Sequence, residues 1–216
     1  MKGKKEMLQE LLWLYRKQIV FMCVVATLAG ILGACAVLKG RASDVQQGIA
    51  GEILRFHVIA NSDSEEDQAR KLMVRDEVVE YMKTLLDGAE DIEETKRRIE
   101  EHVEDIEYTA EQALKKAGGE DSIHTELTEC YFPRKSYGDC TFPAGRYQAL
   151  RVCIGKAEGK NWWCVLFPNL CFIDSIHAVV PDKQKQQLEN VLTEEEYESL
   201  FDWKRSDFRI GWGIFQ

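Results

Sequence analysis

The sequence predicts an α+β domain with a mostly antiparallel sheet and two long helices on one face of that sheet, preceded by one N-terminal apolar helix. Three observations support this fold class. An uncharged apolar run lies near the N-terminus, two charged segments with helical periodicity follow a single apolar strand, and the rest of the chain alternates in short strands. One strand, two helices and then several strands is the order expected when helices cover one face of an antiparallel sheet.

The apolar run covers residues 19–38, which are 20 consecutive residues without a charge. That length crosses the hydrocarbon core of a bilayer as a helix. Basic residues precede the run, and this excess of Lys and Arg places the N-terminus in the cytoplasm and the rest of the chain outside. Residues 1–41 are therefore expected to be a signal or membrane-anchor segment. Ala34 and Ala36 fit a signal-peptidase site and Cys35 fits a looser lipoprotein site, so the sequence leaves cleavage open.

The expected extracytoplasmic domain, residues 42–216, is acidic. The whole chain has 28 basic and 37 acidic residues, and residues 1–41 hold seven of the basic and two of the acidic ones. The remaining 21 basic and 35 acidic residues give a net charge of −14. Nucleic acid is not an expected partner, because binding it requires a basic face. An anionic membrane repels such a domain, so a specific docking surface is needed there.

The domain begins with an expected strand and a helix. Residues 42–51 are small and polar, which predicts a short tether. Residues 52–60 (EILRFHVIA) are rich in β-branched and aromatic residues and predict a buried strand. Ser62 and Glu65 form a capping box for a helix that runs to about Leu86.

The rest of the domain predicts one more long helix and then strands. Residues 92–117 carry apolar residues at helical spacing opposite a charged face. Strand signals follow at residues 123–132, 146–155 and 162–167, with a turn at Tyr137-Gly138-Asp139. Thr193 and Glu196 form a second capping box for a helix that ends near Trp203, and residues 209–215 alternate as a last strand would.

Five of the seven cysteines lie outside the apolar run: Cys130, Cys140, Cys153, Cys164 and Cys171. No C-x-x-C pair occurs, so a zinc site is not expected. No cofactor is expected either. Disulfides are allowed outside the cytoplasm. Cys130 and Cys140 flank an expected hairpin, and Cys153 and Cys164 flank the next turn, so each pair is a candidate for facing strands. Burial as small apolar side chains explains the same residues equally well.

Two groups of residues are candidates for function. His57 lies on the first strand, six residues before Asp63, and the two would serve as acid and base groups of an extracytoplasmic hydrolase. A hydrogen-bonded structural histidine is the more usual occupant of an apolar strand. Trp162 and Trp163 are adjacent on a strand and must point to opposite faces of the sheet, so one of them is available for binding unless both are covered.

Three segments of the sequence resemble the stage II sporulation protein R family. They read RFHVIANSDSEEDQARKLMVRD (residues 55–76), YFPRKSYGDCTFPAGRYQALRVCIG (131–155) and NWWCVLFPNLCFID (161–174). The segments occur in the family order and cover most of residues 52–174. Cys130, Cys140 and Cys153 do not belong to the family pattern, so a disulfide among them would be a feature of this chain alone.

This resemblance implies an exported signalling protein of endospore-forming bacteria. Such a protein is made in the forespore and crosses into the space between the two cells of the sporangium. There it triggers a membrane-embedded aspartic-type protease of the mother cell, which processes the sigma-E precursor. The implied partners are that protease and, through the N-terminal segment, the membrane. The resemblance implies no catalytic residues, cofactor or small-molecule substrate.

The surface expected to bind the protease combines the end of the first strand with the tryptophan segment. Its residues are Arg55, His57, Asn61, Asp63, Trp162, Trp163, Phe167 and Pro168. Two other functions remain open at this point. One is the hydrolase that uses His57 and Asp63, and the other is a membrane-anchored structural protein of the spore envelope.

Overall fold

A computed structural model of the chain describes residues 2–171 and 179–201. The chain divides into two compact units, Met1–Asp44 and Val45–Gln216. Helix α1 (Lys2–Glu52) supplies the first unit and the first residues of the second. Its stretch Tyr15–Glu52 is the one helix of the described residues that is long and apolar enough to cross a membrane. The helix predicted for the apolar run is therefore confirmed.

The predicted tether at residues 42–51 is wrong, because these residues are helical and end α1. Ile49 and Ile53 are fully buried in the core of the second unit. Burial of these two side chains offsets the helix-weakening effect of Gly48 and Gly51. Because the segment is mostly polar, its sequence does not indicate that Ile49 packs into a core.

The second unit continues as a mixture of helices and strands. After α1, its elements in chain order are β1 (Leu54–Ile59), α2 (Glu65–Leu85), α3 (Ile92–Glu101), α4 (Val103–Lys116), β2 (Ile123–Phe132), β3 (Lys135–Tyr137), β4 (Cys140–Phe142), β5 (Gly145–Ile154), β6 (Asn161–Phe167), α5 (Asp182–Val191) and α6 (Glu194–Phe201).

Four of these strands form the main sheet, in the order β2-β5-β1-β6. Two of its three pairings are antiparallel, and β1 runs parallel to β5. Strands β3 and β4 form a separate hairpin. The α+β class and the mostly antiparallel sheet predicted from the sequence are thus confirmed.

Each face of the main sheet has its own apolar core. On the first face, Leu54, Phe56 and Val58 of β1 pack with buried residues of α2, α3 and α4. On the second face, Ala149 and Val165 pack with the β3–β4 hairpin, the end of α1, and α5 and α6. All six residues of β1 are buried, because both faces of this central strand are covered.

Some element boundaries differ from the prediction. The second long helix is divided at His102 into α3 and α4, and His102 lies outside helical geometry with φ −125°. Helix α2 is capped by Ser64, whose side chain accepts a hydrogen bond from the Asp67 amide. The capping box of Thr193 and Glu196 is confirmed. Trp203 and the predicted strand at residues 209–215 lie outside the described residues.

Candidate functional site

His57 lies on β1 and faces the second core. It is 5 % exposed, and its ring stacks on Trp163 with 3.8 Å between centroids. Neither ring nitrogen makes a hydrogen bond of standard geometry with a described residue, but the Asn161 side chain lies close enough to oppose the lowering of the His57 pKa. Burial lowers the pKa of His57 to about 4, and the nearby charges of Arg151 and Arg55 act in the same direction.

The hydrolase hypothesis required a cleft around His57 and a polar partner within hydrogen-bond reach. The structure instead encloses His57 among Trp163 and Phe132. Asp63 is engaged elsewhere, because its Oδ1 accepts a hydrogen bond from the Lys160 amide at 2.7 Å. The geometry therefore does not meet the conditions for an acid–base pair of His57 and Asp63.

Arg55 lies two residues before His57 and is fully buried on the same face. Four aromatic rings surround its guanidinium, which lies 4.5 Å from the ring centroid of Phe132 and 5.2–5.7 Å from those of Tyr137, Phe142 and Tyr147. Its Nη2 donates a hydrogen bond to the Tyr137 hydroxyl at 3.1 Å. That hydroxyl in turn donates to the Trp163 carbonyl, so Tyr137 ties the β3–β4 hairpin to β1 and β6.

Trp162 and Trp163 point to opposite faces, as the strand geometry requires. Trp162 makes an edge contact with Phe56, and the Arg75 guanidinium of α2 lies 5.2 Å from its ring centroid. Both tryptophans are partly exposed. The sequence left open whether both tryptophans are covered or one is available for binding. In the structure, each tryptophan packs against a core and keeps an accessible edge.

Asn61 and its neighbours connect β1 to α2. The side chains of Asn61 and Ser62 both donate to Asp67 Oδ2, at 3.0 and 2.6 Å. These hydrogen bonds hold the pKa of Asp67 below its usual range. Asn61 Oδ1 also accepts from the Lys156 amide. The NSDS segment (residues 61–64) is thus a structural junction that fixes the end of the sheet.

The turn between β5 and β6 lies directly against this junction. The amides of Glu158 and Gly159 donate to the carbonyls of Asn61 and Ala60. A Cβ atom at Gly159 would lie 2.2 Å from the Ser62 carbonyl oxygen, so a larger residue does not fit there. Two segments that are far apart in sequence are therefore packed backbone against backbone.

Phe167 and Pro168 lie at the other end of β6. Phe167 is paired with Leu54, whereas Asn161 is paired with Ile59. Asn161 and Phe167 are six residue positions apart along the strand, which corresponds to about 20 Å. The candidate surface therefore divides into a junction end with Asn61, Asp63 and the tryptophans, and an opposite end with Phe167 and Pro168.

The structure contains a disulfide that links Cys164 to Cys171, seven residues apart. Cys130, Cys140 and Cys153 are free thiols, so the predicted pairings among Cys130, Cys140, Cys153 and Cys164 are wrong. Cys153 and Cys164 lie on β5 and β6, which are separated by β1. Cys130 pairs in register with Tyr147 of β5 instead of facing Cys140.

The described residues hold no group of three or more His, Cys, Asp or Glu side chains arranged for a metal ion. Sequence reasoning missed two contributors to the site. The sequence predicts only a turn at Tyr137. It gives no expectation for Arg151, which is the register partner of His57 on β5. The alternation of residues along β5 contains the signal for Arg151, once its pairing with β1 is known.

Comparison with known proteins identifies the family. Residues 50–177 match the family model described as Stage II sporulation protein R. The chain belongs to the stage II sporulation protein R family. It is 37% identical over 150 residues to "Stage II sporulation protein R" of Bacillus subtilis (strain 168), covering 67% of each chain. No solved structure matches the chain.

Membership of this family supports a role in sporulation. The matched region begins near the end of α1 and extends past β6 and the disulfide. It therefore includes β1, the NSDS junction and both tryptophans, which together hold most of the candidate surface.

Proposed function

We propose that this chain is an exported sporulation signal that activates a membrane-embedded aspartic-type protease, which in turn processes the sigma-E precursor in the mother cell. Family membership and the resemblance of three sequence segments support this role. The observation that supports the proposal is the enclosure of His57, which favours binding over bond cleavage as the use of this surface.

The proposed mechanism is a shift in the conformational equilibrium of the protease. A signal that binds the active conformation a few kcal/mol more tightly than the inactive one is sufficient to activate it. A rigid surface suits this task, because little ordering entropy is lost on binding. The junction of Asn61, Asp63 and the β5–β6 turn provides such rigidity through hydrogen bonds to backbone amides.

The proposed location is outside the cytoplasm, in the space between the two cells of the sporangium. The apolar helix from Tyr15 onward and the excess of basic residues before it support an N-terminus in the cytoplasm. The Cys164–Cys171 disulfide is consistent with an oxidising compartment.

The proposed binding surface is the junction end of the sheet, where Trp162, Trp163 and Asp63 lie. Large aromatic side chains with an accessible edge are typical of binding hot spots. Phe167 and Pro168, at the opposite end of β6, form a second region that the same partner reaches only if its footprint extends about 20 Å along the strand.

The test is co-expression of this chain with the protease and the sigma-E precursor, followed by measurement of precursor processing. Processing is expected only when this chain is present. Trp162→Ala and Asp63→Ala are expected to reduce processing several-fold, whereas Tyr108→Ala, which removes an exposed aromatic ring from α4, is expected to leave it unchanged. Normal processing by stable, exported Trp162→Ala and Asp63→Ala proteins would exclude this surface.

A further inference from the structure

Arg55 is a buried cation that forms no ion pair with a carboxylate of the described residues. Its Nε and Nη1 atoms have no hydrogen-bond partner among the described residues, and no carboxylate in that part of the chain forms an ion pair with it. The groups that raise its pKa are tyrosine and cysteine side chains, and burial lowers that pKa more strongly. An arginine nevertheless remains charged in a protein.

The aromatic rings around Arg55 offset only part of the cost of burying this charge. Cation–π contacts are weaker than a charge-assisted hydrogen bond to a carboxylate. A buried charge is normally paired, and an unpaired one is strongly destabilising. An anion that accepts hydrogen bonds from Arg55 Nε and Nη1 would compensate this buried charge.

Two more unsatisfied side chains continue from Arg55 along the same face of the sheet. His57 is the next residue of β1 on this face. Its ring nitrogens make no hydrogen bond of standard geometry with a described residue, and the Asn161 side chain is the nearby polar group. Arg151 is paired in register with His57. Its Nη2 binds Glu126, but its Nε is buried without a partner in the described part of the chain. We call Arg55, His57 and Arg151 the donor row.

The donor row extends from the interior to the surface. Arg55 is fully buried, His57 is 5 % exposed, and the Arg151 side chain is 35 % exposed. Trp163 covers His57 and is itself partly exposed. Exposure therefore decreases from Arg151 through His57 to Arg55.

We propose that the donor row binds a carboxylate presented by a peptide segment of another protein. Guanidinium groups form their strongest hydrogen bonds with carboxylates and similar anions. The surrounding domain is acidic, so a local cationic site selects where an acidic segment docks and in which register. The inference rests on the proposed function for the existence of a partner, but the binding itself is measurable without the protease.

The test uses the full chain in detergent micelles and three capped or free tripeptides as probes. Acetyl-Gly-Asp-Gly-amide presents a side-chain carboxylate, and acetyl-Gly-Gly-Gly presents a C-terminal carboxylate. Acetyl-Gly-Asn-Gly-amide is the neutral control, and inorganic phosphate is the competing anion. Thermal unfolding is followed at constant ionic strength. A bound probe at about ten times its Kd is expected to raise Tm by about 3–6 °C.

Both carboxylate probes are expected to raise Tm, whereas the Asn peptide is expected to leave it unchanged. The probe with the larger effect shows whether the site prefers a side-chain or a C-terminal carboxylate. No rise with either carboxylate at millimolar concentration, an equal rise with the Asn peptide, or a rise with phosphate alone would each overturn the proposal. Loss of protease activation with intact peptide binding would instead contradict the proposed function, so the two failures are distinguishable.

Three variants test whether Arg55 and Arg151 bind a ligand or only stabilise the structure. Arg55→Met removes the unpaired charge and keeps a long unbranched side chain, so its Tm is expected to equal or exceed that of the wild type, with the probe effect abolished. Arg151→Met, at the exposed end of the donor row, is expected to reduce the probe effect at nearly unchanged Tm. Arg146→Met removes an exposed arginine that pairs with Glu129, and it should respond to the probes as the wild type does. A large Tm loss in Arg55→Met with probe binding retained in Arg151→Met would assign both residues to structure alone.

Discussion

His57 connects the pH of the medium to the stability of the fold. Its pKa falls from 6.5 to about 4 on folding, mainly because of burial. Between these two values the unfolded chain binds more protons than the folded one, so the free energy of unfolding decreases as the pH falls from about 6.5 to about 4. The loss attributable to His57 over this range is about 3 kcal/mol.

The measurement is chemical denaturation at a series of pH values. His57→Gln is expected to be less sensitive to pH in this window, because the titrating group is gone. His124→Gln changes an exposed histidine on β2 and is expected to keep the wild-type pH dependence. Equal slopes for His57→Gln and the wild type would show that His57 is not the group responsible.

Asn61 is expected to contribute more to stability than Asp63, although both belong to the NSDS segment. Asn61 joins Asp67 to the Lys156 amide, and its loss leaves the buried Asp67 carboxylate and that amide without this partner. Asn61→Ala is expected to lower the free energy of unfolding by about 1–3 kcal/mol. Asp63 is exposed and accepts one hydrogen bond, so Asp63→Ala should cost less. Urea denaturation compares the two, and the reverse order would contradict the junction role.

Some features at the residue scale were accessible from the sequence and others were not. The opposite orientations of Trp162 and Trp163 follow from strand geometry alone. The burial of Arg55 does not, because an arginine within an apolar strand is equally consistent with an exposed edge. The packing of the β3–β4 hairpin, which brings Tyr137 and Phe142 over the strand, completes the enclosure begun by Phe132 and Tyr147.

At the scale of elements, the Cys164–Cys171 disulfide joins β6 to the segment that follows it. A cross-link that closes a loop of this size stabilises a protein by about 2 kcal/mol through the unfolded state. Cys171→Ser is therefore expected to lower the free energy of unfolding by about that amount, and a reducing agent should lower the stability of the wild type equally.

The controls use the same chemistry at an unpaired position. Cys153→Ser changes a free thiol and is expected to retain the sensitivity of the wild type to the reducing agent. Cys171→Ser should no longer respond to it. A response of Cys171→Ser equal to that of the wild type would mean that the stabilising bond lies elsewhere.

Most helices and strands were predictable because their apolar periodicity is strong. The interruption at His102 was not, because the apolar spacing continues across it and only the backbone changes. Helix α5 was also missed. Its sequence, DKQKQQLENV, contains only two apolar residues, and its single fully buried side chain, Leu188, is too weak a signal in isolation.

For the whole molecule, orientation across the membrane is the property that the proposed function most requires. An alkaline phosphatase fused after Gln216 is expected to be active in cells, because that enzyme needs an oxidising compartment for its disulfides. Deletion of residues 19–38 should abolish this activity by removing the apolar segment. Equal activity of the two fusions would contradict the proposed location.

The fold class was predictable from the order of elements, but the order of strands in the sheet was not. Local alternation identifies β1, β5 and β6 as strands without saying which are neighbours. The insertion of β1 between the other two separates Cys153 from Cys164 and places Arg151 beside His57. The wrong cysteine pairing and the omission of Arg151 both arise because the sequence does not reveal that β1 lies between β5 and β6.

The central place of β1 also constrains when the domain can fold. The strand is synthesised first, yet its neighbours β5 and β6 begin about ninety and a hundred residues later. During synthesis and passage through a secretion channel, β1 therefore remains an unpaired apolar strand. An unpaired strand of this kind is prone to aggregation, and its distant pairing slows folding. A nascent chain that ends before Gly145 lacks both neighbours and is expected to be susceptible to proteolysis. Resistance is expected only once the last third of the polypeptide, which contains β5 and β6, has emerged.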